Sequence, residues 1–258
     1  MRRYIFIPLI LVSVAVGAFE VSDMSDRPRM RIIQIVTASS PGITLVDASL
    51  GKKQGNSVST LAMVFTKVPA VGNMVVCGAG TYGGGTFSSS TLKDNKGNTY
   101  LMDVFQNDSN TDHAAIWHIT IPGSYADYTA TFTVAGGCYI TASCLEVSGQ
   151  NASPSDLTGQ NTMTSGSNPF FSSTGTNSLS SSTTQLAVAV VAVNSGGSFT
   201  PNQDASWTSL AKETNGSCCE IMDLSYKLNT SLSNTLIIST WTKSGTYQYS
   251  AAMAAYKY

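Results

Sequence analysis

Tyr128-Thr129-Ala130-Thr131-Phe132-Thr133-Val134 and Met222-Asp223-Leu224-Ser225-Tyr226-Lys227-Leu228 carry an apolar residue at every second position. Successive side chains of a strand point to opposite faces, so each stretch reads as a half-buried antiparallel strand. Such runs recur from about Ser57 to Tyr258, separated by Gly, Asn, Ser, Asp and Pro. The further candidates are Val58 to Phe65, Met74 to Ala79, Thr91 to Asp94, Thr99 to Phe105, Ala114 to Ile121 and Tyr139 to Val147. Leu186 to Val193, Trp207 to Glu213, Cys218 to Leu228, Thr235 to Thr242 and Tyr247 to Tyr256 complete the set. No long helical pattern separates them, which predicts an all-β sandwich or barrel.

Punctuation refines the reading. Gly136-Gly137 reads as a tight turn joining the strands on either side, and Gly42 to Asn56 as a loop with one short strand. Leu186 to Val193 is apolar almost throughout, as expected of a central strand covered on both faces. Ser148 to Gln185 is rich in Ser, Thr, Asn and Gly, with an extended edge strand expected near Phe170-Phe171. It divides either two sheets or two subdomains, and one sandwich is the favoured arrangement.

At 258 residues the chain is long enough for one large all-β domain, and 42% hydrophobic residues supply its core. Charged residues make up only 11%, against roughly 25% in ordinary soluble domains. Hydroxyls and amides take their place, as in secreted β-proteins and virion proteins. The net charge of −1 gives the whole protein no electrostatic reason to seek nucleic acid.

The N-terminus reads as an export signal. Met1-Arg2-Arg3 is a positive start, Ile5 to Phe19 an apolar stretch, and Val16-Gly17-Ala18 a small-residue cleavage site. Residues 1–18 are therefore expected to be a signal peptide; the alternatives are a short membrane anchor and translation starting at Met24 or Met30. Residues 19–50 read as linker with a first strand at Arg31-Ile32-Ile33-Gln34-Ile35-Val36, and 51–258 as the sandwich domain.

Among five cysteines, Cys138 and Cys144 fall on one strand, about 20 Å apart, too far to bridge. Adjacent Cys218 and Cys219 face opposite sides of theirs. Most of the five are expected as small buried hydrophobes. The alternative is one long-range pair, of Cys77 or Cys138 with Cys218 or Cys219. Neither His113 nor His118 follows a cysteine pattern suited to zinc, so neither a metal nor a cofactor is expected.

Val68-Pro69-Ala70-Val71-Gly72-Asn73-Met74-Val75-Val76 is followed by Asp94-Asn95-Lys96-Gly97-Asn98-Thr99-Tyr100, Glu146-Val147-Ser148-Gly149 and Ser206-Trp207-Thr208. In this order the segments resemble a family of jelly-roll-like β-sandwich proteins found in secreted bacterial surface proteins and in tailed-phage structural proteins. The resemblance covers residues 57 to 258 and rests on turn and strand motifs. It implies an antiparallel, two-sheet, jelly-roll-like β-sandwich and a surface or virion role, with no enzymatic residues to carry over.

Several groups invite a chemical reading. Asp94, Asn95 and Asn98 offer oxygens as a calcium loop does, but lack the EF-hand order, so a hairpin turn is expected. Glu220-Ile221-Met222-Asp223 resembles the acidic strand of laminarinase-type glycosidases, but Glu220 and Asp223 fall on opposite faces and the third acid is missing. Glu220 should share the face of Met222 and Leu224, with Asp223 pointing to solvent or the neighbouring sheet edge. His113 and His118 face opposite ways, His118 paired with a hydroxyl. Glu146 falls on the Cys144 side of its strand and belongs to a structural network. Trp117 goes to the core with Ile119 and Ile121. Trp207, beside a loop, and Tyr82 are the candidate ligand-binding residues.

The expected role is non-catalytic: adhesion, glycan recognition or structural assembly at a secreted or cell-surface location. Its partners would be a glycan or cell-surface ligand, or further copies of the chain. The alternatives are a virion protein with a capsid partner, as capsid decoration or tail fibre, and a β-sandwich glycosidase.

Overall fold

Among the described residues, the apolar alternation resolves into fourteen strands. The computed structural model describes residues 42–88, 91–107, 112–163, 170–173, 185–194, 199–200, 206–215, 220–229, 237–243 and 248–257. The expected signal peptide or anchor at 1–18, the expected strand ending at Val36, and Cys218 and Cys219 lie outside the described residues. The earlier strands are β1 (Thr44–Val64), β2 (Met74–Tyr82), β3 (Leu92–Asp94), β4 (Leu101–Asn107), β5 (His113–Thr120) and β6 (Thr129–Ser148). The later ones are β7 (Ser155–Met163), β8 (Phe170–Ser173), β9 (Gln185–Asn194), β10 (Phe199–Thr200), β11 (Thr208–Asn215), β12 (Glu220–Asn229), β13 (Ile238–Lys243) and β14 (Gln248–Lys257).

Two antiparallel sheets pack face to face, as a β-sandwich. The first runs β1-β6-β2-β5-β4, with β3 paired to β6, and the second runs β11-β12-β9-β14-β7. β1 lies against β11, β2 against β9, β5 against β14 and β4 against β7, so the strands of the two sheets run in step. The polar stretch after Ser148 divides the two sheets and itself supplies the edge strand β7 of the second. β9 is central and buried from Leu186 to Val193, as its continuous apolar run predicts. A small sheet, β10-β13-β8, includes the strand expected near Phe170-Phe171.

Among the described residues, three apolar clusters follow from alternation. Met74, Val76, Ile116, Leu145, Val188, Val190, Met222 and Leu224 fill the space between the sheets. Gly78 allows that contact to close, because a Cβ there would lie 2.5 Å from Leu224 Cδ1 and 3.3 Å from Val190 Cβ. Val75, Cys77, Trp117, Phe132 and Cys144 pack on the outer face of the first sheet with Leu61 and Met63. Val191, Trp207, Trp241, Tyr249 and Met253 pack on the opposite face of the second sheet from the inter-sheet core.

Two local expectations are corrected. Gly42 to Asn56 is not mainly loop: β1 begins at Thr44 and runs through it. Gly136-Gly137 does not turn the chain back, because β6 continues unbroken from Thr129 to Ser148. The two glycines bend the strand instead, with Gly136 at φ 83°. On β1 the bend coincides with register shifts between Gly55 and Thr60 and with Ser57 at φ 53°. The β1–β6 ribbon thereby folds over the outer face of the first sheet. Thr66 donates its backbone N–H to the Leu50 carbonyl at 2.8 Å, tying the end of the ribbon to its beginning.

The cysteine expectation is also corrected. Cys77 on β2 stands directly opposite Cys144 on β6, with Cα atoms 4.1 Å apart, and the two form a disulfide. Antiparallel pairing brings facing residues this close, whereas two positions on one strand never approach. Cys138 does not join Cys144; its thiol donates to the Val58 carbonyl at 3.9 Å.

Candidate functional site

Tyr82 and Tyr139 face each other across β2 and β6. Their ring centroids are 6.1 Å apart with the planes tilted by 30°. Both side chains are half-buried. By alternation they stand on the face that packs against the second sheet, at the end of that face. Gly83 and Gly84 follow Tyr82, Gly136 and Gly137 precede Cys138 and Tyr139, and all four glycines are exposed. Four exposed glycines therefore flank the aromatic pair along the chain, and none of the four carries a side chain over it.

Trp207, the other aromatic candidate, is only 6% exposed, and its indole N–H donates to the Ile238 carbonyl at 3.0 Å. Its ring packs with Trp241 and Ile237. Trp207 thus ties the start of β11 to β13. Trp117 lies in the core, edge-on to Phe87 and Phe132.

Asp94 forms the expected hairpin turn. Its Oδ1 accepts the backbone N–H of Lys96 at 2.9 Å and of Asn98 at 2.8 Å. Its Oδ2 accepts Asn98 Nδ2 at 2.8 Å and the Tyr128 hydroxyl. Gly97 holds φ 87°, as the turn requires of glycine. Tyr100 donates to the Tyr128 oxygen at 3.4 Å. Burial pushes both phenols up; the neighbouring Tyr100 and the bond to Asp94 push Tyr128 further. Among the described residues, no group of three His, Cys, Asp or Glu side chains gathers as for a metal ion.

Glu146 is buried, and its Oε1 accepts the Ala70 backbone N–H at 2.8 Å and Asn73 Nδ2 at 2.6 Å. It pins the loop before β2, a structural use of a carboxylate. Asp223 points away from Met222 and Leu224, as expected, but of the two surroundings expected for it solvent is ruled out, because it is fully buried. It accepts the Trp241 indole N–H at 2.6 Å and the Ser209 hydroxyl. The small sheet covers the face that alternation assigns to it. The Glu220 side chain lies outside the described residues.

His113 and His118 do face opposite ways: His113 stacks on Phe105, and His118 meets Tyr256 edge-on. The expected hydroxyl partner of His118 is instead the Asp103 carboxylate, with Nδ1 2.8 Å from each of its oxygens. A carboxylate accepts, so Nδ1 carries the hydrogen in this pair. Ser155 and Tyr256 also donate to Asp103, each at 2.7 Å. Nothing in the sequence around Asp103 marks it as such a hub. It sits at a register shift between Met102 and Val104, so strict alternation does not give its face. β4 and β5 supply the acid and the imidazole, β7 and β14 the two hydroxyls, so one buried carboxylate bolts the two sheets together. Burial pushes the Tyr256 phenol well up, and the charge and hydrogen bond of Asp103 add to it.

Comparison with family models, with curated proteins and with solved structures finds no match.

Proposed function

We propose that this chain is a non-catalytic β-sandwich of an extracellular or surface setting, used for adhesion, glycan recognition or structural assembly. The observation that carries this reading is the Cys77–Cys144 disulfide, buried in the core of the first sheet. Structural disulfides form and persist in oxidising compartments and are rare where cellular thiols are kept reduced. The export-type N-terminus, the hydroxyl-rich composition and the resemblance of the turn motifs to those of secreted and virion β-sandwiches support the same setting. Asp94, Asp103, Glu146 and Asp223 each accept two or more donors from the protein's own framework, which suits holding the fold. The ligand surface we assign is the partly exposed Tyr82–Tyr139 pair, whose rings would offer an apolar face for a sugar ring and hydroxyls for its rim.

A panel of insoluble and arrayed polysaccharides tests this. The expected result is retention on one glycan class without release of reducing ends, lost in Tyr82→Ala at unchanged melting temperature. Release of reducing ends that disappears in Glu220→Gln would establish the glycosidase reading instead. Absence of glycan retention together with co-purification with capsids would establish the virion reading.

A further inference from the structure

We infer that the Cys77–Cys144 bond is made before the β1–β6 ribbon folds over the first sheet, so the chain meets its oxidant while that face is open. The two sulfurs lie on the outer face of the sheet, and both residues are completely buried. Trp117 stands opposite Cys77 on β5, with the rings of Phe87 and Phe132 against it at 5.0 and 5.8 Å. On the other side, Gly51 of β1 stands opposite Cys144. A Cβ on Gly51 would come within 3.1 Å of both Met63 and Phe65, so the returning half of the ribbon presses directly on that position. The disulfide is thus floor to a roof made of the same chain.

Thiol oxidation by exchange needs a sulfur of the oxidant to reach a protein thiolate and form a mixed disulfide. The closed ribbon leaves no approach for it. Pairing of β2 with β6 alone brings the two cysteines face to face, and this pairing needs neither the roof nor the second sheet. In the step, Cys77 and Cys144 give up two protons and two electrons as their S–S bond forms. The disulfide of the oxidant, a glutathione disulfide or an oxidoreductase, is cleaved and leaves as two thiols. This order of events does not depend on what the protein binds.

The full-length protein, reduced and unfolded, is refolded with oxidised glutathione present from the start, or refolded in reductant and given oxidised glutathione afterwards. Peptide mapping by mass spectrometry follows the Cys77–Cys144 linkage apart from the other three cysteines. Linkage is expected during folding in the first arm and at least about tenfold more slowly in the second, limited by opening of the folded state. A second measurement covers a reduced chain that does not fold: native oxidised protein is placed in dithiothreitol without denaturant. The linkage is expected to survive until the protein unfolds. Equal oxidation rates in the two arms, or prompt reduction of the native protein, would overturn the inference.

Discussion

A carboxylate that accepts from His118, Ser155 and Tyr256 leaves two buried donors, His118 and Tyr256, without a partner when it is removed, while the exposed Ser155 turns to water. The Asp103 side chain is only 2% exposed, so water does not replace it freely. Asp103→Ala should therefore cost about 3 kcal/mol or more, and Asp103→Asn less, because the amide oxygen still accepts. Guanidinium unfolding measures both; an alanine variant as stable as the parent would mean the bolt carries no load. The sequence shows Asp103 only as an acid interrupting Leu101-Met102-Asp103-Val104-Phe105, because the local bulge that turns it inward leaves no mark in composition. Tyr82 is visible as an aromatic beside a glycine run. Its partner Tyr139 is not, since their meeting depends on which strands pair.

Bending, more than pairing, decides how the elements fit. Alternation located most strands, and the apolar run of β9 announced its central place. Two glycines in sequence look alike whether they reverse a chain or bend it, and only the continuous partner β1 distinguishes the two. Gly136 at φ 83° is the hinge of β6, and a residue with a Cβ there carries the left-handed penalty. Gly136→Val should lose about 1–2 kcal/mol in denaturant unfolding with an unchanged slope. Gly136→Asn should lose less, because asparagine tolerates this conformation. Equal losses for the two substitutions would place the cost in packing rather than in the backbone.

At the scale of the whole molecule, two buried sets of interactions respond to chemistry outside the protein. Tyr100, Tyr128 and Tyr256 all have phenols raised above the ordinary 10.0, first by burial. A folded value above the unfolded one means that their contribution is complete below about pH 10 and is lost as the pH climbs past it. Ultraviolet titration should show exposed tyrosines ionising first and these three only as the protein unfolds; their ionisation near pH 10 in folded protein would contradict this. The disulfide is the other set, and it was illegible because the register of two strands with sequence separation 67 cannot be read from either strand. It also carries the claim that this sandwich works outside a reducing compartment. The most direct test is peptide mapping, without reduction, of the protein recovered from the setting in which it is naturally made. The account predicts a Cys77–Cys144 linkage in essentially every molecule. Recovery of Cys77 and Cys144 as free thiols in folded protein would contradict it.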